Sequence, residues 1–331
     1  MNTKKLLSSL SCRSMLILFI AFVTLIAIGC SPDNENPPSD NLGAYNTKTI
    51  QHEDIERTFH VYLPTNFNKD NPTPMVLALH GGSGSGKRFE RDVSDGTLTI
   101  AADSRGVILV MPEGIDKRWN DGRPEIFNGD RMYDDVGFIS VIIDEMIQNY
   151  GVNANKVYVT GISNGGLMSV RLALELSNKI AAAAPVTAQI TKALESIVPD
   201  TPISIMIING TADPLVPYDG GYIQVPGITE NRGEILSTDE TIEKFNAFNQ
   251  CTNPAEIEPS IDNLPRDGTS IEITRYNNCE QRTEVVLVKV VGGGHTWPGG
   301  AEYLPPIIVG KVSREINASQ LILDFFLSHS K

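Results

Sequence analysis

The sequence predicts an α/β fold in which helices cover both faces of a mostly parallel central sheet. Two observations lead to this fold class. Short, continuous apolar runs recur along the chain, as expected for parallel strands that are buried on both faces. Segments with apolar residues at helical spacing lie between these runs, and this alternation favours right-handed crossovers in one parallel sheet.

Seven strands and four helices follow from these patterns. The strands are expected at 59–63, 75–79, 107–111, 157–160, 180–186, 203–208 and 285–291. The helices are expected at 136–147, 167–176, 241–248 and 319–327. Sheets of this kind bind their ligands beyond the carboxyl ends of the strands. Candidate functional residues are therefore sought in the loops that follow strands.

The first 29 residues have the layout of a secretory signal. Three basic residues precede an apolar run, 15–28, that is too short to span a bilayer comfortably. The run leads to Cys30 in a segment similar to a bacterial lipobox, so we expect Cys30 to be lipidated and to anchor the chain to a membrane. An ordinary cleaved signal and an uncleaved anchor are the alternatives.

Residues 30–44 predict a flexible tether, because the segment after Cys30 is polar and rich in proline. Residues 45–331 are expected to form one domain, since no repeat or linker interrupts them. Ser31 suggests the outer membrane, by resemblance to known sorting rules. We therefore expect an exported protein on the outer membrane or cell surface, with a periplasmic or secreted protein as the alternative.

The charge balance argues against nucleic acid as a partner. The signal holds three of the 27 basic residues and no acidic residue. The remaining 24 basic and 40 acidic residues give a net charge of −16. A surface of this sign repels phosphate backbones. No feature of the sequence indicates an oligomeric state.

Gly161–Gly165 is a Gly-x-Ser-x-Gly pattern directly after the predicted strand 157–160. At a sharp turn from strand to helix, this pattern lifts a serine hydroxyl above the sheet, and the glycines keep side chains out of the crowded backbone. Ser163 is therefore the candidate nucleophile.

A serine hydroxyl needs a base, and a chain of this architecture supplies its partners in the order Ser, Asp or Glu, His. Only two of the five histidines follow Ser163, and His329 is close to the C-terminus. His295 follows the strand 285–291 through three glycines and is the expected base. Asp213 follows the strand 203–208 and is the expected acid, which would hold the imidazole tautomer. Asp219 and Asp239 are its rivals.

The oxyanion that forms on attack needs preset N–H donors. Asn164, the residue after the nucleophile, would supply one backbone N–H. The second is expected from Gly82, with Ser83 as the alternative, in the glycine-rich loop after the strand 75–79. His80 in that loop is expected to be structural.

The same loop, 81–87, is close to a phosphate-binding pattern. Arg88 stands where that pattern needs a magnesium-binding Ser or Thr, which argues against a nucleotide site. No metal and no cofactor are expected.

Two cysteines remain in the predicted domain, Cys251 and Cys279. An even pair in an exported chain suggests a disulfide, and two buried thiols are the alternative.

With these residues in place, the chain resembles the polyhydroxybutyrate depolymerase and feruloyl esterase group of α/β-hydrolases. Six segments carry the resemblance in family order over residues 45–328: 80–82, 119–120, 134–139, 161–166, 210–218 and 293–299. The resemblance implies the α/β-hydrolase fold and a cysteine pair near Cys251 and Cys279. It also implies that Trp119 and Trp297 contact the substrate, with wall packing as the alternative, and that the loop at Tyr218 adds to the rim.

The leading hypothesis is a serine carboxylic-ester hydrolase that works through an acyl-enzyme. The family includes esterases on feruloyl or acetyl esters of polysaccharide, which we favour, and polyhydroxyalkanoate depolymerases on 3-hydroxybutyrate polyesters or oligomers, which are the alternative. A peptidase of the same fold is disfavoured, because its relatives usually carry a large extra domain. A non-catalytic binding lipoprotein is disfavoured because the catalytic set is complete.

Overall fold

The computed structural model describes residues 40–127, 129–252 and 254–331. The predicted signal 1–29, the lipidation site Cys30 and the tether up to residue 39 lie outside the described residues. Residues 40–331 form one compact unit. Within the described ranges, no helix is both long and apolar enough to cross a membrane.

Twelve strands and six α-helices are found in the described part of the chain. The strands are β1 (Tyr45–His52), β2 (Ile55–Tyr62), β3 (Thr73–Leu79), β4 (Ile108–Pro112), β5 (Val152–Ile162), β6 (Ala182–Val186), β7 (Ser204–Gly210), β8 (Gly221–Tyr222), β9 (Glu234–Ile235), β10 (Glu256–Ile257), β11 (Ser270–Tyr276) and β12 (Val285–Val291). The helices are α1 (Thr97–Arg105), α2 (Asp135–Tyr150), α3 (Asn164–Glu175), α4 (Thr238–Phe248), α5 (Pro306–Val309) and α6 (Ala318–Leu327).

Ten strands form one sheet in the order β1-β2-β4-β3-β5-β6-β7-β12-β11-β10. The six strands from β4 to β12 in this order are parallel to one another. Antiparallel strands extend the sheet at both edges. The predicted fold class, a mostly parallel sheet with helices on both faces, is confirmed.

Two apolar layers lie on opposite faces of the sheet. Alternate residues of β3 divide between them: Met75 and Leu77 belong to the layer of α2, α3 and α4, while Val76 belongs to the layer of α1 and α6. Successive side chains of a strand point to opposite faces, so a strand buried on both faces must be apolar throughout. The continuous apolar runs in the sequence have this cause.

Local signals fix the helix bounds. The carboxylate of Asp134 caps α2 by accepting the N–H of Gly137 at 2.9 Å. Gly151 ends α2 in the left-handed conformation, with φ of 66°. Ser237 and Glu240 form a reciprocal capping box at the start of α4.

The domain begins earlier than residue 45. Asp40 accepts a hydrogen bond from the hydroxyl of Tyr150 at 2.7 Å and pairs with Lys48 at 2.6 Å. The N–H of Gly43 donates to Leu63 O at 2.8 Å. Residues 40–44, which the sequence assigns to the tether, are therefore held against the domain.

A disulfide joins Cys251, just after α4, to Cys279, in the loop before β12, across a sequence separation of 28. This loop lies at the amino end of β12. The predicted base His295 follows the carboxyl end of the same strand, so the disulfide and the candidate site lie at opposite ends of the strands.

Candidate active site

Ser163 occupies the turn between β5 and α3. Its backbone has φ of 58° and ψ of −124°, a conformation that L residues rarely adopt. A Cβ on Gly161 would approach Gly165 O to 2.5 Å, and one on Gly165 would overlap Leu79 O. The two glycines of the pattern are thus required by close backbone contacts, and the strained turn presents the Ser163 side chain at the carboxyl edge of the sheet.

His295 and Asp213 meet at that edge from two neighbouring parallel strands, β12 and β7. The imidazole Nδ1 of His295 lies 2.7 Å from Asp213 Oδ2, and both side chains are almost fully buried. The carboxylate accepts, so Nδ1 carries the proton and Nε2 is left as the proton acceptor. Asp213 Oδ1 accepts the N–H groups of Leu215 and Val216, each at 2.8 Å, which fixes the carboxylate.

The other candidates for acid and base lie elsewhere. Asp219 is exposed, and Asp239 accepts the hydroxyl of Tyr218 at 3.0 Å. His329 follows α6, where its Nδ1 lies 2.7 Å from Phe325 O. The geometry therefore favours Asp213 over its two rivals as the partner of His295.

The loop after β3 packs directly on the serine turn. A Cβ on Gly81 would lie 3.5 Å from Ser163 Cβ, and one on Gly82 would lie 3.8 Å from Asn164 Cβ. Asn164 is the first residue of α3, where backbone N–H groups have no partner within the helix. Gly82 and Asn164 are thus neighbours, as two donors to one oxyanion must be.

The alternative donor, Ser83, does not fit. Its backbone N–H donates to Lys117 O at 2.8 Å and is already engaged. This contact leaves Gly82 as the candidate on this loop.

His80 is a buried, neutral histidine. Its Nε2 accepts the N–H of Gly114 at 3.0 Å, so its Nδ1 carries the proton and donates to Gly81 O at 2.8 Å. Burial lowers the pKa of the imidazole, which favours the uncharged form. The residue joins two loops, in keeping with the structural role expected for it.

The structure places Trp119 and Trp297 in the core, which favours wall packing, the alternative, over contact with substrate. Trp119 is 0% exposed and its indole N–H donates to His80 O at 2.9 Å. Trp297 is 1% exposed, donates to Ser319 Oγ at 3.1 Å and packs edge-on against Phe89. Both are core residues, because tryptophan has enough apolar surface to fill a gap below a loop when its N–H finds an acceptor.

Tyr218 is half-buried, in the segment that leads from Asp213 to α4. Its hydroxyl donates to Asp239 at 3.0 Å, and burial followed by the Asp239 charge raises the pKa of the phenol. Its role at the rim remains a prediction.

Two further polar residues near the candidate site, each directly after a strand, were not predicted from the sequence. Thr187 follows β6, is 2% exposed, has φ of 51°, and its Oγ1 accepts the N–H of Ser163 at 3.1 Å. Glu113 follows β4 and accepts hydrogen bonds from the segment 85–87, just beyond the glycine loop. A search for every polar residue after a strand would have found both.

Among the residues that the structure describes, no cluster of three or more His, Cys, Asp or Glu side chains has the geometry to hold a metal ion.

The sheet order, the strained serine turn and the buried His295–Asp213 contact at the ends of β12 and β7 define an α/β-hydrolase. Residues 51–192 match the family described as Putative esterase. The chain is also 34% identical over 265 residues to "Putative esterase NocK" of Nocardia uniformis subsp. tsuyamanensis, which covers 77% of this chain and 74% of the relative. The chain therefore belongs to this esterase family, and the protein is a carboxylic ester hydrolase.

A second relative is "Feruloyl esterase B" of Piromyces equi, 29% identical over 242 residues. The match covers 71% of this chain and 42% of the relative, so the chain spans less than half of that protein's length. Among solved structures, "Acetyl xylan esterase from Aspergillus awamori" superposes with a TM-score of 0.51 at 17% identity. The match covers 76% of this chain and 94% of that esterase, and shows the shared fold.

Proposed function

We propose that the protein hydrolyses its ester by a serine acyl-enzyme mechanism in which Ser163, His295 and Asp213 act as nucleophile, base and acid. The observation that carries this proposal is the pair of buried side chains, His295 and Asp213, at the same sheet edge as the strained Ser163 turn. A hydrogen-bonded carboxylate keeps Nε2 of the imidazole free to accept a proton.

In the first half of the reaction, Ser163 Oγ attacks the ester carbonyl carbon while its proton passes to Nε2 of His295. The backbone N–H groups of Gly82 and Asn164 stabilise the oxyanion. Collapse of the intermediate breaks the bond to the leaving alkoxide, which takes the proton from His295 and departs as the alcohol.

In the second half, His295 removes a proton from water, and the resulting hydroxide attacks the acyl carbonyl carbon. The bond to Ser163 Oγ then breaks, and the proton on His295 returns to that oxygen. A carboxylic acid leaves and the free serine is restored. Apart from the ester and water, all groups in this cycle belong to the chain, so the proposal includes no cofactor.

For the substrate, we propose feruloyl or acetyl esters of polysaccharide. The similarity to a feruloyl esterase over most of this chain supports this class. The test compares turnover of methyl ferulate, 4-nitrophenyl acetate and 3-hydroxybutyrate oligomers by the purified chain. Hydrolysis of the first two is expected, and cleavage of the oligomers alone would overturn the substrate assignment.

Ser163→Ala is the control for each substrate in that comparison. It is expected to lower kcat by roughly 10⁴-fold or more, because the nucleophile is lost. Its melting temperature should stay close to that of the parent chain, which separates lost chemistry from lost folding.

We further propose that the protein is exported and held on the outer membrane or cell surface by a lipid on Cys30. The apolar run that ends next to Cys30 supports this location. Labelled fatty acid should enter the full chain and not Cys30→Ser when both are expressed in a Gram-negative host. Equal labelling of the two would contradict the proposed anchor.

A further inference from the structure

Trp119 contacts the glycine loop that carries one candidate oxyanion donor. Its indole Nε1–H donates to His80 O at 2.9 Å, and its ring centroid lies 5.0 Å from that of His80. His80 precedes Gly82 by two residues. The loop that follows is glycine-rich, so it has more backbone freedom than most segments. The indole hydrogen bond therefore restrains a loop whose own sequence restrains it weakly.

The backbone of Trp119 holds the other candidate donor. Its N–H donates to Asn164 Oδ1 at 2.7 Å, and Asn164 Nδ2 donates back to Trp119 O at 3.0 Å. The second hydrogen of Nδ2 donates to Asp121 Oδ2 at 2.6 Å. The Asn164 amide thus uses both of its donor hydrogens and its oxygen in buried hydrogen bonds. Any other orientation of the amide would break these hydrogen bonds.

Asp121 fixes the contact between Trp119 and Asn164, because it accepts a hydrogen bond from the Asn164 amide. Its carboxylate is fully buried and accepts the Nε–H of Arg123 at 3.0 Å. Arg123 in turn donates to Arg232 O at 2.6 Å. The Asp121 carboxylate, which accepts from both Arg123 and Asn164, is held in one place, since breaking the ion pair with Arg123 would leave an uncompensated buried charge. The loop around Trp119 is therefore a fixed point against which Asn164 is positioned.

We propose that Trp119 is a positioning residue that sets the spacing between the two oxyanion N–H groups, one through its indole and one through its backbone. Oxyanion donors stabilise charge because they are aligned before it develops, and misalignment raises the barrier without weakening substrate binding. The inference rests on the proposed roles of Gly82 and Asn164. It assigns Trp119 no contact with substrate.

The test is Trp119→Phe, which keeps an aromatic ring and removes the hydrogen bond to His80 O. We expect kcat to fall by about 10-fold, less than for loss of a whole oxyanion donor, while KM stays within about 2-fold. A trifluoromethyl ketone, which places an oxyanion in the site, should bind more weakly by a similar factor.

Trp297→Phe is the matched control. It removes one indole hydrogen bond, to Ser319, from an equally buried tryptophan in the other apolar layer. It should lower the melting temperature by a comparable amount and leave kcat and ketone affinity unchanged. Equal effects of both substitutions on kcat would overturn the inference.

Asn164→Ser gives a second variant that retains the backbone N–H and loses the two-way contact with Trp119. It should show the same loss of kcat and ketone affinity with little change in KM. If Ser163-dependent hydrolysis is absent in the parent chain, the proposed function fails. If hydrolysis is present and both variants keep their kcat, the inference about Trp119 fails alone.

Discussion

The imidazole Nδ1 of His295 lies 2.7 Å from Oδ2 of Asp213, in a contact that is almost closed to solvent. Two backbone N–H groups hold the other carboxylate oxygen. The orientation of the proposed base is therefore set by the backbone of the loop after β7 as much as by the carboxylate itself.

Asp213→Asn should lower kcat by about 10³-fold or more, since the amide no longer specifies which imidazole nitrogen carries the proton. The change is nearly isosteric, so the fold should persist. Steady-state hydrolysis of 4-nitrophenyl acetate measures the effect. Asp219→Asn, an exposed position in the same segment, is the control and should leave kcat unchanged. A comparable loss in both variants would contradict the assignment of Asp213.

Thr187→Val tests the strained residue that accepts the Ser163 N–H. The substitution keeps the shape and removes the acceptor, and Val186 O at 3.0 Å remains as a second acceptor for that N–H. We expect a loss of about 1 kcal/mol in the free energy of unfolding, and a fall in kcat of about 3- to 10-fold because the nucleophile is held less firmly.

The control for Thr187 is Thr160→Val in β5. Thr160 is also buried, and its hydroxyl donates to Ala184 O at 2.6 Å, away from the turn. Urea unfolding should show a similar cost in stability, while kcat should not change. If the two variants lose equal activity, Thr187 has no special part in holding Ser163.

Glu113 predicts a dependence of stability on pH. Burial alone would raise the pKa of its carboxyl. Hydrogen bonds from the His60 side chain, the Ser85 hydroxyl and the backbone N–H groups of residues 86 and 87 outweigh burial and lower the pKa to about 2. A depressed carboxyl pKa stabilises the fold above the unfolded-state value, near 4.5. That contribution is lost as the pH falls through the folded-state value.

Glu113→Gln should therefore destabilise the chain at pH 7 by about 1–2 kcal/mol, a figure reduced for the partial solvent access of the carboxylate. The difference from the parent chain should shrink between about pH 4.5 and pH 2. Urea unfolding across this range measures it. Glu113 and Glu56 both line one surface cavity, and Glu56 is exposed, so Glu56→Gln is the control. A difference that grows as the pH falls would contradict the account.

The disulfide should affect stability and not catalysis. Removal of both sulfurs in Cys251→Ala/Cys279→Ala should cost about 3.5 kcal/mol in the chain-entropy treatment of a loop of this length. Thermal unfolding with and without reductant measures the loss, and the parent chain under reductant should approach the variant. Activity at 25 °C should be unchanged, because the disulfide lies at the amino end of β12 and the candidate active site lies beyond its carboxyl end. A large loss of kcat in the folded variant would contradict this separation.

The parallel core of the fold could be predicted because a strand buried on both faces leaves a continuous apolar run, as β3 and β4 do. The antiparallel edge strand β1 alternates exposed and half-buried residues and could not be distinguished from a loop. Helix α1 was missed for a related reason, since it buries only Leu98, Ala101 and Ala102 and has no clear apolar stripe.

The candidate triad could be predicted because chain order and strand ends leave few choices for the partners of Ser163. The roles of Trp119 and Trp297 could not, because a tryptophan that faces a ligand and one that fills the core below it have the same sequence signal. Burial distinguishes them, and burial depends on tertiary packing, of Trp119 against His80 and of Trp297 against Phe89. Thr187 was missed because its only sequence signal is its place directly after a strand; its positive φ and its contact with Ser163 are imposed by the tertiary structure.

The most direct test of the central claim is labelling of the purified chain with a fluorophosphonate, followed by mass spectrometry of the modified peptide. A nucleophilic serine activated by His295 should carry one adduct, on Ser163, and His295→Ala should abolish or greatly slow its formation. A folded parent chain that stays unlabelled, or an adduct on a different serine, would contradict the account.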